Sequence, residues 1–188
     1  MNVGFQIDNI SDLNLKTDST FPIILESQKR NNINFCFLPS SLTLKNNEVY
    51  ALSKEIKFTK NKIETYSLGK QKSIKLNNLD YIFVRQDPPY NMEYISSMHI
   101  LEQIKGKTKI VNNPKGIRNA PEKISMLAYK NIIPATIITR SKYEIDGFVN
   151  NWGKSIIKPL YGNGGESVFL LDPKDKNYNQ IIEKFINQ

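Results

Sequence analysis

The sequence predicts an α/β protein that begins with an open, parallel-type sheet. Short apolar runs of strand length alternate with helical segments, which is the order of elements in parallel sheets. The first 38 residues give a strand, a helix and a strand, and a second series of the same kind lies between residues 79 and 111. With 188 residues and 39% hydrophobic content, the chain can form one domain with a core and part of a second.

The first series contains a strand over Val3–Ile7, a helix and a strand over Ile33–Leu38. Asp18–Thr20 supplies N-cap candidates for the helix, and Pro22 lies in its first turn. Asn46-Asn47, between two apolar runs, predicts a hairpin turn. We predict no element for the polar, lysine-rich residues 53–78.

The second series begins with a core strand over Leu79–Val84, which runs directly into Arg85-Gln86-Asp87-Pro88-Pro89. A charged loop at the carboxyl end of a buried strand is where open α/β sheets bind ligands. The two prolines restrict the backbone and hold Arg85 and Asp87 in place. The pattern leaves open a rigid turn whose Arg–Asp pair is only structural. A helix over residues 92–104 and a strand over residues 109–111 follow.

A domain boundary is predicted near residue 121, which divides the chain into residues 1–121 and 122–188. The second part is predicted to contain a helix to about residue 130, a strand over Thr136–Ile138, a helix capped by Ser141, a glycine-rich hairpin and a terminal helix from Tyr178. Proline in the first turn and Glu three residues after an N-cap Asn predict where the first of these helices begins.

The glycine-rich hairpin has the chemistry of a phosphate-binding loop. Strands over Ser155–Lys158 and Ser167–Leu171 flank three glycines in four positions. Glycine lets backbone N–H groups approach an anion, and Lys158 adds a positive charge beside them. It is neither a Walker A loop, whose lysine follows the glycines, nor a dinucleotide fingerprint, which opens a helix. A plain hairpin turn with an exposed lysine is the alternative.

Composition argues against two classes of partner. The net charge is +8, which favours anionic ligands, but only four basic residues are arginine and the lysines are scattered. We therefore expect no nucleic-acid binding. No apolar run reaches membrane-spanning length, the N-terminus lacks the pattern of a signal peptide, and the single cysteine, Cys36, cannot form an internal disulfide. These features predict a cytoplasmic protein that does not bind membranes.

Several segments together resemble one enzyme family, bacterial glutathione synthetase, over nearly the whole chain. They occur in the family's order and at similar spacing: Ile7-Asp8-Asn9-Ile10, Asp18-Ser19-Thr20, Arg85-Gln86-Asp87-Pro88-Pro89, Met92-Glu93-Tyr94, Asn119-Ala120-Pro121-Glu122-Lys123 and Ile157-Lys158-Pro159-Leu160-Tyr161-Gly162-Asn163-Gly164-Gly165. The Arg-x-Asp-Pro-Pro element is specific to that family. The Lys-Pro-Leu-x-Gly-x-Gly-Gly element is shared more widely among ATP-grasp ligases.

The resemblance implies an α/β N-terminal domain followed by the first part of an ATP-grasp α+β domain. It also implies an enzyme that joins γ-glutamylcysteine to glycine through an acyl phosphate, cleaving ATP to ADP and phosphate with Mg²⁺ as cofactor. Such chemistry requires no protein nucleophile, so no catalytic residue is assigned. A homo-oligomer is compatible with this assignment. The alternatives are a non-catalytic ligand-binding fragment and another ATP-grasp carboxylate–amine ligase.

The resemblance implies roles for ten residues. ATP would contact Lys123, Lys158, Gly162, Asn163, Gly164 and Gly165, and the thiol peptide would contact Asp18, Ser19, Arg85 and Asp87. No metal ligand is assigned, because the acids after the glycine loop lack the family's Glu-x-Asn context. The resemblance therefore predicts an N-terminal portion of the enzyme with an incomplete ATP-grasp domain, inactive by itself.

Overall fold

The computed structural model describes residues 1–59, 65–162, 164–165 and 167–187. The chain forms two compact units. The first contains Met1–Asp87 and Asn91–Asn119, and the second contains Pro88–Tyr90 and Ala120–Gln188. No helix among the described residues is long and apolar enough to cross a membrane.

The first unit is a mixed sheet with helices. Its elements are β1 (Asn2–Gln6), α1 (Thr20–Lys29), β2 (Ile33–Lys45), β3 (Glu48–Phe58), β4 (Tyr66–Leu68), β5 (Lys72–Lys75), a 3-10 turn (Leu76–Asn78), β6 (Tyr81–Val84), α2 (Met92–Leu101), β7 (Lys109–Val111) and α3 (Pro114–Asn119). The strand order is β4-β3-β2-β1-β6-β7, and β5 also pairs with β3. β1 runs parallel to β2 and β6, and β7 runs parallel to β6, whereas the β3 pairings are antiparallel.

Strand β1 is the point in the sheet from which strands are added first on one side and later on the other. The chain moves from β1 to β2 on one side, and later returns to β6 on the other side. In open α/β sheets, ligands bind beyond the carboxyl ends of the strands at such a point. The topology therefore points to the loops that follow β1 and β6.

Apolar side chains fix α1 against the sheet. Phe5 is fully buried and its ring stacks on Phe83 of β6 at 5.2 Å between centroids. Phe21 and Ile24 of α1 are fully buried in the same cluster. Burying each such side chain contributes about 1.5–3 kcal/mol relative to exposure, so this packing holds the start of α1 beside the carboxyl end of β1.

Two local predictions for the first unit, and one segment without a prediction, can be compared with the structure. The hairpin turn is confirmed, because Asn46 and Asn47 have φ of 52° and 60°, as a type I′ turn requires. Residues 116–119, which the pattern of Gly116 and Asn119 after Pro114 predicts as a loop, are helical instead. Helix α3 begins at Pro114, a favoured first helical residue, and Asn113 Oδ1 accepts the N–H of Gly116 at 3.0 Å. Residues 53–78, left without a prediction, contain the end of β3 and both β4 and β5.

The second unit contains α4 (Glu122–Ser125), a 3-10 turn (Met126–Tyr129), α5 (Lys142–Trp152), β8 (Ser155–Ile157), β9 (Phe169–Leu171) and α6 (Tyr178–Ile186). β8 and β9 pair antiparallel, so the predicted hairpin is present with shorter strands. A small core of Ile145, Val149, Leu171 and Ile182 joins α5, β9 and α6.

Two details of the second unit differ from the prediction. Residues 136–138 form no strand, and the described strands of this unit, β8 and β9, pair only with each other. Asn119 ends α3 instead of capping the next helix, which begins at Glu122. The cap of α5 is as predicted, since Ser141 Oγ accepts the N–H of Glu144 at 3.4 Å.

We expect Gly4→Ala to destabilise the first unit. A Cβ at this position in β1 would lie 2.6 Å from Leu79 Cδ1 and 3.1 Å from Phe37 Cε1, and such overpacking costs about 1–3 kcal/mol. Gly147→Ala in α5, where a Cβ meets nothing within 4 Å, is the matched control. Urea unfolding followed by circular dichroism should show a lower midpoint for the first variant only; equal midpoints would contradict the packing argument.

Candidate functional site

Arg85 joins two predicted segments at the carboxyl end of β6. Its backbone N–H donates to Gln6 O at 2.8 Å, which extends the pairing of β6 with β1. Its guanidinium donates to Ser19 Oγ at 2.7 Å and to Thr20 Oγ1 at 3.1 Å. Asp18 Oδ1 accepts the N–H of Thr20 at 2.7 Å. The structure thus brings Asp18, Ser19 and Arg85 together at the start of α1.

The carboxylates of Asp8, Asp18 and Asp87 lie in the same region of the first unit. Asp87 N–H donates to Asp8 Oδ2 at 2.7 Å. Partial burial raises the pKa of Asp8, its hydrogen bond with Asp87 N–H opposes this, and the negative charges of Asp87 and Asp18 raise the pKa further. A guanidinium beside several carboxylates can bind a ligand that carries both carboxylate and ammonium groups.

Gln86 anchors the loop between β6 and α2. Its Oε1 accepts from Gln6 Nε2 at 3.0 Å and from Ser97 Oγ at 3.2 Å. Gln6 is fully buried, and its Oε1 has no hydrogen-bond partner among the described residues. These hydrogen bonds join Gln86 to β1 and α2. They therefore hold the backbone positions of the neighbouring residues Arg85 and Asp87.

Asp8→Asn should stabilise the first unit at neutral pH. Because the folded state raises the pKa of Asp8, folded Asp8 keeps its proton to higher pH than unfolded Asp8, and stability falls as pH rises through that window. Asparagine stays neutral and its Oδ1 can still accept from Asp87 N–H. The stability gain of the variant should therefore grow between about pH 4 and pH 7. Urea unfolding at both pH values measures it; a gain that shrinks with rising pH would contradict the sign.

The loop after β8 contains two consecutive glycines in the left-handed backbone region. Gly164 and Gly165 have φ of 61° and 78°, a left-handed conformation that side chains disfavour, and both glycines are exposed. Consecutive residues with unusual φ can direct their N–H groups into one concavity. Lys158 directly follows β8 and is exposed. The predicted contact Asn163 lies outside the described residues.

Lys123 contacts this loop from α4. Its Nζ donates to Pro159 O at 2.5 Å and to Gly162 O at 2.8 Å. Burial lowers the pKa of Lys123, the negative charge of Glu122 opposes this, and the positive charge of Lys158 lowers it further. Because Pro159 directly follows Lys158, the hydrogen bond to Pro159 O places the Lys123 ammonium group at the same loop as Lys158.

Two family models together match almost the whole chain. The model described as prokaryotic glutathione synthetase, N-terminal domain, matches residues 1–118, and that described as prokaryotic glutathione synthetase, ATP-grasp domain, matches residues 122–188. The chain belongs to the prokaryotic glutathione synthetase family. The resemblance stated from the sequence motifs is thereby confirmed.

Curated relatives agree with this family assignment. Glutathione synthetase of Agrobacterium fabrum is 40% identical over 98% of this chain, and that of Buchnera aphidicola subsp. Acyrthosiphon pisum is 37% identical over all of it. The matched regions are 58% and 59% of those proteins, respectively. The chain therefore spans less than two thirds of the length of these glutathione synthetases.

Solved structures show the same fold at low sequence identity. D-alanyl-alanine synthetase A from Vibrio cholerae superposes with a TM-score of 0.55 and 13% identity, over 99% of this chain and 56% of that one. The ATP-grasp ligase PsnB, complexed with minimal precursor, Mg and ADP, superposes with a TM-score of 0.52 and 13% identity, over 97% and 61%. The predicted fold class is confirmed.

The described residues do not form a magnesium site of the glutathione synthetase family. They contain no group of three or more His, Cys, Asp or Glu side chains that could hold a metal ion. Asp172 is paired with Lys154 at 2.9 Å, and Asp175 accepts the N–H of Asn177 at 2.8 Å. Glu166 lies outside the described residues. No step of the reaction is therefore assigned to metal held by these side chains.

The sequence predicted no ligand-binding role for Asp8 or Thr20, although both contact predicted site residues. The signal for Asp8 was its place as the first residue after the predicted strand Val3–Ile7. The signal for Thr20 was weaker, because its hydroxyl contacts a guanidinium 65 positions away. Only the folded sheet brings those positions together.

Proposed function

We propose that this chain supplies the thiol-peptide site and the phosphate-binding loop of an ATP-dependent ligase that joins γ-glutamylcysteine to glycine. The observation that carries the proposal is the pair of ammonium groups, Lys123 and Lys158, beside a glycine loop with left-handed backbone. In the proposed reaction, a carboxylate oxygen of γ-glutamylcysteine attacks the γ-phosphorus of ATP and ADP leaves. The glycine amine then attacks the acyl carbon, loses a proton and expels phosphate.

The second unit would hold the phosphates of ATP. We propose contacts from Lys123, Lys158, Gly162, Gly164 and Gly165, together with Asn163, which completes the family motif. Phosphoryl transfer spreads negative charge over the phosphate oxygens, and fixed positive charges and N–H groups stabilise that charge. Mg²⁺ is a further proposed cofactor, with its ligands outside the described residues.

The first unit would hold γ-glutamylcysteine, which carries two carboxylates and one ammonium group. We propose that Arg85 binds a carboxylate, since its guanidinium can form two parallel hydrogen bonds that lysine cannot reproduce. Ser19 orients that guanidinium through the 2.7 Å bond. Asp18 and Asp87 would attract the ammonium group. These assignments follow from the family motifs and from the contacts in the first unit.

We also propose the division of the chain into a domain of residues 1–121 and an ATP-grasp segment of residues 122–188. The family models meet between residues 118 and 122. A cytoplasmic location is part of the same proposal, because the substrates are ATP and a reduced thiol. Cys36 itself is buried, and burial raises the pKa of its thiol to about 11, so it is a structural residue in this account.

An extended chain tests the proposed function. It joins the 188 residues, at their carboxyl end, to the part of the Agrobacterium fabrum relative that follows the matched segment. We expect ADP release that requires both γ-glutamylcysteine and glycine, with glutathione as the product. ADP release with D-alanine in place of both substrates would identify a different carboxylate–amine ligase. A folded extended chain that binds γ-glutamylcysteine without releasing ADP would favour the non-catalytic alternative.

The 188-residue chain alone should not synthesise glutathione. The chain spans 58% of the Agrobacterium fabrum relative, and its described residues supply no metal-binding group, whereas phosphoryl transfer requires metal-bridged phosphates. The measurement is ADP release with ATP, Mg²⁺, γ-glutamylcysteine and glycine, with the extended chain as the positive control. Turnover near a typical enzyme rate of about 10 s⁻¹ by the 188 residues would contradict this prediction.

A further inference from the structure

The turn Pro159–Gly162 has two carbonyl groups directed at one side chain. Pro159 O and Gly162 O, three residues apart, both accept from Lys123 Nζ, at 2.5 Å and 2.8 Å. Two carbonyl oxygens that converge on one point repel each other unless a positive group lies between them. The shape of this turn therefore depends on the ammonium group.

The remaining contacts of the turn fit the same shape. A Cβ at Gly162 would lie 2.7 Å from Pro159 Cγ, so the turn closes tightly against the proline ring. Tyr161 stacks on Tyr90 at 6.1 Å between ring centroids. Lys123 is half-buried beneath the turn, and burial lowers its pKa. An ammonium group gives up hydration at such a place only in exchange for good hydrogen bonds.

The turn lies between the groups proposed to bind phosphate. Lys158 directly precedes it, and Gly164 and Gly165 follow it after one residue. The turn therefore forms four of the five positions between the lysine and the two glycines. An ammonium group has three N–H donors, and the turn takes two of them, so one donor of Lys123 can still face a bound anion.

We infer that Lys123 is a positioning residue that holds the turn Pro159–Gly162 in its binding shape before any nucleotide arrives. The inference deepens the proposed function and rests on it, because the turn matters to ligation only as part of the phosphate loop. Lys158 plays no such part, since its side chain forms no hydrogen bond with another described residue. Removing Lys123 should therefore disorder the loop itself, whereas removing Lys158 should not.

The test is ¹⁵N relaxation of the 188-residue chain without nucleotide. In Lys123→Met, order parameters of the Leu160, Tyr161 and Gly162 amides should fall from about 0.85 to below about 0.6, while those of α5 stay near 0.85. Lys158→Met is the matched control and should leave the three amides ordered. Lys123→Arg keeps the charge and N–H donors, and should restore their order.

Other results of the relaxation experiment would either support or overturn the positioning role of Lys123. Unchanged order in Lys123→Met, an equal loss in Lys158→Met, or no recovery in Lys123→Arg would overturn the inference. If Lys123→Met also disorders α5, the result for Lys123→Arg is used instead. An ordered turn in Lys123→Arg supports the inference. A disordered turn together with an ordered α5 in Lys123→Arg overturns it. Because no nucleotide is present, inactivity of the extended chain would refute the proposed function and leave these readings unaffected.

Discussion

Lys158→Met in the extended chain is expected to lower kcat by about 10²–10³-fold, or about 2.7–4 kcal/mol of transition-state stabilisation. Lys158 directly follows β8, and the next residue, Pro159, accepts a hydrogen bond from Lys123. Methionine keeps much of the side-chain length and removes the charge. Negative charge that develops on the phosphoryl oxygens would then lose one of its two lysine partners. Steady-state ADP release at saturating substrates measures the effect.

Lys130→Met is the matched control for that experiment. Lys130 is an exposed lysine of the same unit, and it caps the 3-10 turn after α4. We expect its removal to leave kcat within about twofold, because the interactions of an exposed charge are screened by salt. If both methionine variants lose activity equally, general loss of positive charge explains the effect and Lys158 has no specific role.

Arg85→Ala is expected to raise the KM for γ-glutamylcysteine by about 10–100-fold, the range for loss of a hydrogen bond to a charged group. The KM for ATP should change little, because every described side-chain contact of Arg85 lies in the first unit, with Ser19 and Thr20. Arg85→Lys should recover only part of the loss, since lysine cannot form two parallel bonds to a carboxylate. Initial rates at varied γ-glutamylcysteine and fixed ATP measure this.

Arg30→Ala provides the matched control for Arg85. Arg30 follows α1, is largely exposed, and pairs with Glu26 at 2.9 Å. Its loss should cost at most about 1 kcal/mol of stability, as for exposed ion pairs in general, and should leave both KM values unchanged. A fall in ATP affinity in Arg85→Ala, with γ-glutamylcysteine affinity intact, would show that Arg85 serves the other substrate.

The sequence predicted those parts of the fold that local patterns determine. Apolar residues at positions 3, 5 and 7 predict the first strand, and Asn46-Asn47 predicts a left-handed hairpin turn. The structure contains both the strand and the turn. Strand β5 has no such pattern. It is held by contacts distant in sequence: it pairs antiparallel with β3, and Lys75 forms an ion pair with Glu48. Such contacts form only once β3 is in place.

In the candidate site, too, proximity within one motif can be predicted from the sequence, whereas contacts between distant positions cannot. Lys158 and its glycines lie in one continuous motif, so their proximity could be predicted directly. The contacts of Arg85 with Ser19 and of Lys123 with Gly162 span 66 and 39 positions. Motif resemblance named those residues, but only packing of α1 on β1, and of α4 beneath the loop, specifies which atoms meet. For the same reason, no local pattern indicates that Lys123 binds backbone carbonyls.

Transfer of oxygen from substrate to phosphate tests the central claim most directly. The extended chain would be supplied with γ-glutamylcysteine labelled with ¹⁸O in its cysteinyl carboxylate, together with ATP and glycine. If that carboxylate is activated as an acyl phosphate, each glutathione formed releases one phosphate that carries one ¹⁸O atom, and mass spectrometry should find equal amounts of both products. Glutathione formed with unlabelled phosphate, or labelled phosphate formed without glycine incorporation, would contradict the account.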